Sequence, residues 1–168
     1  LDELSVDQRK DISVVGGGPA GLRFAATAAK RGHRVKVFEA EEKLGGRLCE
    51  LAALPKRGGW VDAIANLERP LNRLGIEINY NSKIDADNID GDIVVCATGS
   101  SWDCSGYSPY RPERDSIPGA ERPFVIDLGT AIQRALVDPN ALGRHVLIVD
   151  ETGEYHPLGL AELLAPAD

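Results

Sequence analysis

Three glycines at fixed spacing are the residues whose pattern points most directly to chemistry. Gly16, Gly18 and Gly21 fit the pattern G-x-G-x-x-G. In that pattern the first glycine permits a tight turn, the second lets the backbone approach a pyrophosphate, and the third lets a helix pack closely on a strand. The N–H groups and the dipole of the following helix favour an anion. The spacing therefore predicts a site for a nucleotide diphosphate.

The residues around these glycines predict the strand–helix–strand unit that would position them. Residues 12–15 are short, largely apolar and β-branched, as in a buried parallel strand, and residues 22–30 are rich in alanine, which favours a helix. Residues 34–38 predict a second strand, which ends at Glu39. A carboxylate about 20 residues after the motif is expected to bind the ribose of a dinucleotide. The alternative is a purely structural turn with a solvated Glu39.

A second pair of glycines follows the acidic residue. Gly45 and Gly46 are small enough to let another backbone segment reach the same diphosphate, and Arg47 would add a charge-assisted contact to phosphate. The alternatives are an ordinary loop and a surface cation.

Two later segments predict further strands of the same sheet. Residues 76–80 alternate as a strand does, and a third parallel strand in this fold passes close to the adenine, which makes Lys83 and Ile84 candidates for backbone contacts. Residues 92–99 predict another buried strand. Its end combines small residues with a hydroxyl, which suits a ligand in the crevice of an open sheet, although a tight turn would have the same composition. The residues at that end are Ala97, Thr98 and Gly99.

The rest of the chain predicts helices, a long connection and one more strand. Residues 61–74 carry apolar side chains on one helix face, and Pro70 is expected to kink or split that helix. The other expected elements are an irregular connection at 100–122, a helix at 127–137, a buried strand at 145–150 and a helix at 158–164. The last two would begin a second βαβ unit, whose turn lacks the G-x-G-x-x-G spacing.

These elements predict an α/β fold: a Rossmann-like FAD/NAD(P)-binding three-layer fold with a parallel sheet, followed by the start of a second, incomplete βαβ unit. We expect a linker at 1–10, a nucleotide-binding domain at 11–122 and the beginning of a second nucleotide-binding-like domain at 123–168. Residue 1 is leucine, and residues 1–10 lack the apolar core of a signal peptide, so the chain is expected to be part of a larger one.

Composition and charge exclude several classes of partner. The 168 residues are 43% hydrophobic, and the net charge is −7 without a basic stripe, which argues against nucleic acid and anionic membranes. No apolar run approaches the length of a membrane span. The cysteines at 49, 96 and 104 lie far apart, so we expect no disulfide framework or metal site, a small buried Cys49 and a cytoplasmic location. We see no catalytic constellation.

The order of motifs resembles the C-terminal nucleotide-binding region of multidomain old yellow enzyme relatives. That family includes 2,4-dienoyl-CoA reductase, trimethylamine dehydrogenase, histamine dehydrogenase and amine demethylases. The resemblance extends over nearly the whole chain beyond the linker. The residues that carry it are Val-Gly-Gly-Gly-Pro-Ala-Gly at 15–21, Glu39, Leu-Gly-Gly-Arg at 44–47, Ala-Ala-Leu-Pro at 52–55, Ala-Thr-Gly at 97–99 and Ile-Pro-Gly at 117–119.

The resemblance implies a bound FAD, or ADP in its place. It implies that FMN and a 4Fe-4S cluster belong to a TIM-barrel domain or subunit that this chain lacks, and that the chain forms part of an oligomer. It assigns the cofactor contacts by position: the diphosphate to Gly16, Gly18, Pro19, Ala20 and Gly21, its flanks to Gly46 and Arg47, the ribose hydroxyls to Glu39, and the remaining cleft to residues 97–99. Gly45 and Ala40 are further candidates for cofactor contacts.

The second turn, without its glycines, is closer to the amine dehydrogenase and demethylase branch than to the NADPH-dependent branch. The resemblance therefore implies the dinucleotide-binding, electron-relaying portion of a flavin-dependent oxidoreductase of the amine dehydrogenase or demethylase type. One alternative is a non-catalytic module in which an adenine nucleotide stabilises an assembly. Another is an NAD(P)H-dependent electron-input domain like that of 2,4-dienoyl-CoA reductase.

Overall fold

A computed structural model of the chain describes residues 8–85, 88–151 and 153–165. Contacts between Cα atoms divide the chain into two units. The first comprises the chain up to Ala52 together with Gly59–Gly99, and the second comprises Ala53–Gly58 and the chain from Ser100 onward. In chain order the elements are β1 (Asp11–Val15), α1 (Pro19–Lys30), β2 (Arg34–Phe38), α2 (Arg47–Ala53), α3 (Trp60–Leu74), β3 (Glu77–Asn79), β4 (Ile93–Cys96), α4 (Leu128–Val137), a 3-10 turn (Pro139–Leu142) and α5 (Tyr155–Leu164).

The first unit is built on a parallel four-stranded sheet in the order β3-β2-β1-β4. Ile12 of β1 pairs with Val35 on one side and with Ile93 on the other. Alternate residues of β1 and β2, together with the apolar face of α1, form the core. The predicted α/β class is confirmed, as are the parallel strands predicted near residues 12, 35, 76 and 93.

Helix α1 forms where the glycine turn ends. Pro19 occupies the first helical position, where its missing N–H costs nothing, and Gly18 precedes it as the N-cap. Leu22 and Ala25 are fully buried against the sheet. The first turn contains no acidic residue, so the positive end of the helix dipole is not neutralised by its own side chains.

One prediction was that helix α3 splits at Pro70. The helix instead continues through Pro70 to Leu74. A proline inside a helix removes one backbone hydrogen bond. Burial of Leu71, which is 0% exposed, and of the partly buried Leu67 against the core holds the helix together across that point. The helix ends at Gly75, whose φ of 64° is left-handed.

Two strand predictions need correction. Strand β4 forms, but it is not buried: Ile93 and Val94 are 42% and 43% exposed because β4 is one of the two outer strands among the described residues. Residues 145–150 form no strand, and Leu147 is 88% exposed. A strand needs a neighbour for its backbone N–H and C=O groups, and no described strand pairs with this segment.

The second unit contains α4, the 3-10 turn and α5, after a long connection at 100–127 with no regular element. Asp127 is the N-cap of α4 rather than its first residue, and its carboxylate accepts hydrogen bonds from the Thr130 N–H at 3.0 Å and the Thr130 hydroxyl at 2.6 Å. Burial opposes ionisation of Asp127, but these hydrogen bonds outweigh it and lower the pKa. Helix α5 begins at Tyr155, three residues before the predicted start.

A cluster in the second unit joins residues 53–58 to α5. The Arg57 guanidinium lies 3.7 Å from the centroid of the Tyr155 ring, and the Tyr155 hydroxyl is 2.7 Å from the Pro55 carbonyl oxygen. Lys56 forms an ion pair with Glu162. The sequence predicted none of these contacts, since they join residues about a hundred positions apart.

Candidate nucleotide-binding site

The candidate site lies at the carboxyl edge of the parallel sheet. Gly16, Glu39 and Ala97 directly follow β1, β2 and β4, whose carboxyl ends share one edge. The Gly16 N–H donates to the Phe38 carbonyl at 2.8 Å, and the Ala97 N–H donates to the Val15 carbonyl at 2.8 Å. Strand β1 pairs with β2 on one side and with β4 on the other, so the strand order changes direction at β1. Ligands of open α/β sheets bind outside the strand ends at such a switch point.

The three motif glycines occupy different surroundings. Gly16 has φ 110°, and an added Cβ would overlap the Ala97 carbonyl oxygen. A Cβ at Gly21 would overlap the carbonyl oxygen of Gly16, so this glycine allows α1 to pack against the turn. Gly18 differs from both because an added Cβ would meet nothing within 4 Å. These surroundings agree with the predicted roles: a tight turn at Gly16, close helix packing at Gly21 and an open approach at Gly18.

Glu39 is buried, and its carboxylate is held by the backbone. The residue is only 7% exposed. Oε2 accepts a hydrogen bond from the Gly17 N–H at 2.7 Å, and Oε1 accepts one from the Glu41 N–H at 2.9 Å. The alternative of a solvated acid at the strand end is therefore wrong. Each carboxylate oxygen retains a further lone pair for a ligand hydroxyl.

The second glycine pair lies against the first loop. The Gly45 N–H donates to the Gly17 carbonyl at 2.9 Å, and an added Cβ at Gly46 would lie 3.4 Å from the Gly18 Cα. The two glycine segments are thus in direct contact, although 28 positions separate Gly17 from Gly45. The two backbone segments are therefore close enough together for both to contact one diphosphate.

The other candidates lie around this loop at different distances from it. The segment after β3 runs beside Glu39, since the Ser82 N–H donates to the Glu39 carbonyl at 2.8 Å, and it brings Lys83 and Ile84 to the same edge. Arg47 is the first residue of α2 and is half-buried. The exposed candidates are Pro19, Ala20, Ala40, Gly46, Lys83, Thr98 and Gly99. Their ligand contacts stay predictions.

The sequence led us to expect a buried Cys49, but this residue is only half-buried in the structure. Its thiol donates a hydrogen bond to the Leu44 carbonyl oxygen, with Sγ 3.3 Å from that oxygen. Burial raises the pKa of this thiol, while nearby Lys43 opposes that shift. The three cysteines are free thiols. Cys49 is accordingly suited to packing rather than to nucleophilic chemistry.

The sequence missed one residue that organises this loop, Gly17. It occupies a variable position of the motif, yet its N–H binds Glu39 and its carbonyl binds Gly45. An added Cβ would lie 2.5 Å from Leu44 Cδ2 and 2.8 Å from Glu39 Oε2. The only sequence signal is the run of three glycines at 16–18.

Comparison with known proteins places this geometry in a family. Residues 14–69 match the family described as "NAD(P)-binding Rossmann-like domain". The chain is 34% identical over 164 residues to N,N-dimethylglycine/sarcosine dehydrogenase of Chromohalobacter salexigens, covering 94% of this chain and 22% of that protein. It is 31% identical over 159 residues to the multifunctional alkene reductase/demethylase OYE of Caballeronia cordobensis, covering 92% and 21%. The chain is similar, over most of its length, to the Rossmann-like portion of old yellow enzyme-type oxidoreductases.

A solved structure supports the same relationship. The 6-hydroxypseudooxynicotine amine oxidase (HisD) of Pseudomonas geniculata N1 matches with a TM-score of 0.64 and 32% identity, covering 72% of this chain and 18% of that one. The resemblance predicted from the motifs is therefore confirmed. The chain spans about a fifth of the length of these oxidoreductases, which contain further domains. Among the described residues, no helix has the length and apolar character needed to cross a membrane.

Proposed function

We propose that this chain binds FAD, or ADP in its place, as the nucleotide-binding portion of a larger flavin-dependent oxidoreductase of the amine dehydrogenase or demethylase type. The observation that carries the proposal is the contact between two glycine segments beside a buried carboxylate, all at the switch point of a parallel sheet. The relatives named above include a dehydrogenase that acts on methylated amines. The residues of the larger protein that oxidise the substrate would lie in a barrel domain or partner subunit carrying FMN and a 4Fe-4S cluster.

The loop fits the diphosphate of such a nucleotide. An added Cβ on Gly18 would meet nothing within 4 Å, and one on Gly46 would lie 3.4 Å from the Gly18 Cα. The start of α1 supplies backbone N–H groups and a positive dipole end, and no acid in its first turn opposes an anion. In this proposal Gly16, Gly18, Pro19, Ala20, Gly21 and Gly46 hold the diphosphate, and Arg47 adds positive charge beside it.

The Glu39 carboxylate fits the ribose of an adenosine without a 2′-phosphate. A carboxylate can accept hydrogen bonds from two vicinal hydroxyls, and its charge would repel a phosphate at the 2′ position. Lys83, Ile84, Ala40, Ala97, Thr98 and Gly99 would line the rest of the cleft. A bound flavin would accept and pass on electrons, while the residues of this chain bind and orient the nucleotide.

Mass spectrometry of the denatured, purified chain tests the proposal by identifying any nucleotide that it carries. Calorimetric titration of the nucleotide-free chain with ADP then measures the affinity of the adenosine diphosphate portion. FAD with absorbance near 450 nm would support electron relay, and ADP alone would favour an adenine-nucleotide module that stabilises an assembly. NAD(P)H binding would favour an electron-input domain. A chain that neither carries nor binds any of these nucleotides would contradict the proposal.

A further inference from the structure

Gly17 connects the three parts of the candidate site through its backbone. Its N–H donates to Glu39 Oε2 at 2.7 Å, and its carbonyl accepts from the Gly45 N–H at 2.9 Å. The residue itself is buried, so these bonds are shielded from solvent. Gly17 therefore fixes both the acid after β2 and the second glycine segment relative to the loop.

Crowding by neighbouring side chains, rather than backbone conformation, favours glycine at position 17. Its φ lies outside the left-handed region, so a residue with a side chain could adopt its backbone geometry. A Cβ would, however, lie 2.5 Å from Leu44 Cδ2 and 2.8 Å from Glu39 Oε2. Both atoms are the ends of side chains, and the Glu39 Cβ would be the next neighbour at 3.3 Å. An alanine at this position is thus expected to move side chains, the Glu39 carboxylate among them, rather than the backbone.

The orientation of the carboxylate depends on two backbone donors. Gly17 binds Oε2 and Glu41 binds Oε1, so the plane of the carboxylate is fixed before any ligand arrives. Fixing an acceptor in its binding orientation reduces the entropic cost of binding. Loss of the Gly17 contact would leave only the Glu41 N–H to hold the group.

We propose that Gly17 is a positioning residue that orients the Glu39 carboxylate and so sets the preference of the site for an adenosine ribose with a free 2′-hydroxyl. The inference rests on the proposed nucleotide function, and it adds a residue that does not itself need to touch the ribose. Its effect should appear in the discrimination between ribose variants rather than in diphosphate binding alone.

The test compares the affinities of the full chain for ADP and for 2′-deoxy-ADP by calorimetric titration. We expect wild type to bind ADP about tenfold more tightly, because one hydrogen bond to a charged group is lost with the hydroxyl. Gly17→Ala should reduce this ratio to about threefold or less. Gly58→Ala is the control: it adds the same methyl group in open space outside the glycine loop, and should leave the ratio unchanged.

The outcomes separate this inference from the proposed function. Absence of ADP binding by wild type contradicts the function and the inference together. ADP binding by wild type with an unchanged ratio in Gly17→Ala overturns the inference alone. If Gly17→Ala does not fold, the same ratio is measured in Leu44→Val and in Leu44→Val/Gly17→Ala, since valine lacks the Cδ2 atom that crowds Gly17. Failure of the double variant to fold would make Gly17 a requirement of the fold and overturn the inference.

Discussion

The two sides of the glycine loop differ in what surrounds them. On the side facing the sheet, Gly16 and Gly21 leave no room for a Cβ, because backbone carbonyl oxygens occupy that space. On the opposite side, Gly18 faces open space in an extended conformation that residues with side chains adopt freely. One short motif therefore combines glycines that the fold requires with a glycine that the fold does not require. Mutations on the two sides should separate stability from binding.

The largest effect is expected from Gly16→Ala. Alanine would need a φ of 110° and would collide with the Ala97 carbonyl, an atom of the backbone that side-chain motion cannot move away. Backbone strain and overpacking together should cost about 2–6 kcal/mol, a large share of the stability of a typical domain. Thermal unfolding followed by circular dichroism should show loss of the cooperative transition or a drop of about 10 °C or more. A melting temperature within about 2 °C of wild type would mean that the collision is relieved locally.

Gly18→Val should have the opposite profile. An added Cβ at this position meets nothing within 4 Å, so the melting temperature should remain close to that of wild type. In the proposed complex the same space holds the diphosphate, and loss of a charge-assisted hydrogen bond or two should weaken ADP by about a hundredfold, or about 3 kcal/mol. Calorimetry with ADP measures this loss. Unchanged affinity would show that Gly18 does not contact the diphosphate.

Glu39→Gln should lower both stability and selectivity. The two backbone groups that bind the carboxylate, Gly17 and Glu41, are both donors, and a glutamine offers one acceptor oxygen together with an NH₂ group. One donor would then face another, at a cost of about 1–3 kcal/mol of unfolding free energy. The preference for ADP over 2′-phospho-ADP should decrease as well, since the repelling charge is gone.

Glu42→Gln is the control for this change, because Glu42 is exposed three residues further along. It should alter neither the melting temperature nor the preference for ADP. If wild type binds 2′-phospho-ADP as tightly as ADP, Glu39 does not select the ribose.

The sequence predicted the strand–helix–strand unit because its signals are local. The glycine spacing, the alanine-rich run and Glu39 after an apolar strand lie within residues 11–39. The position of Leu44 against Gly17 could not be predicted, since tertiary packing across 27 positions determines it. Local pattern also failed for strands. Residues 93–96 and 145–150 are similarly apolar and β-branched, but only the first has β1 as a neighbour. Composition indicates that a segment suits a strand, while a pairing partner decides whether the strand forms.

The second glycine pair offers the smallest and most selective comparison. Gly46 has a φ of 52°, and Gly75, at the end of α3, has a φ of 64° with nothing near the position of a Cβ. Alanine at either position should cost about 1–2 kcal/mol through the same left-handed strain, visible as similar decreases in melting temperature. Only the Gly46 methyl would lie beside the loop, 3.4 Å from the Gly18 Cα. Gly46→Ala should therefore weaken ADP about threefold, and Gly75→Ala should not. Equal ADP affinities in the two variants would indicate that residues 45–46 form an ordinary loop, and would restrict the phosphate site to the first glycine segment.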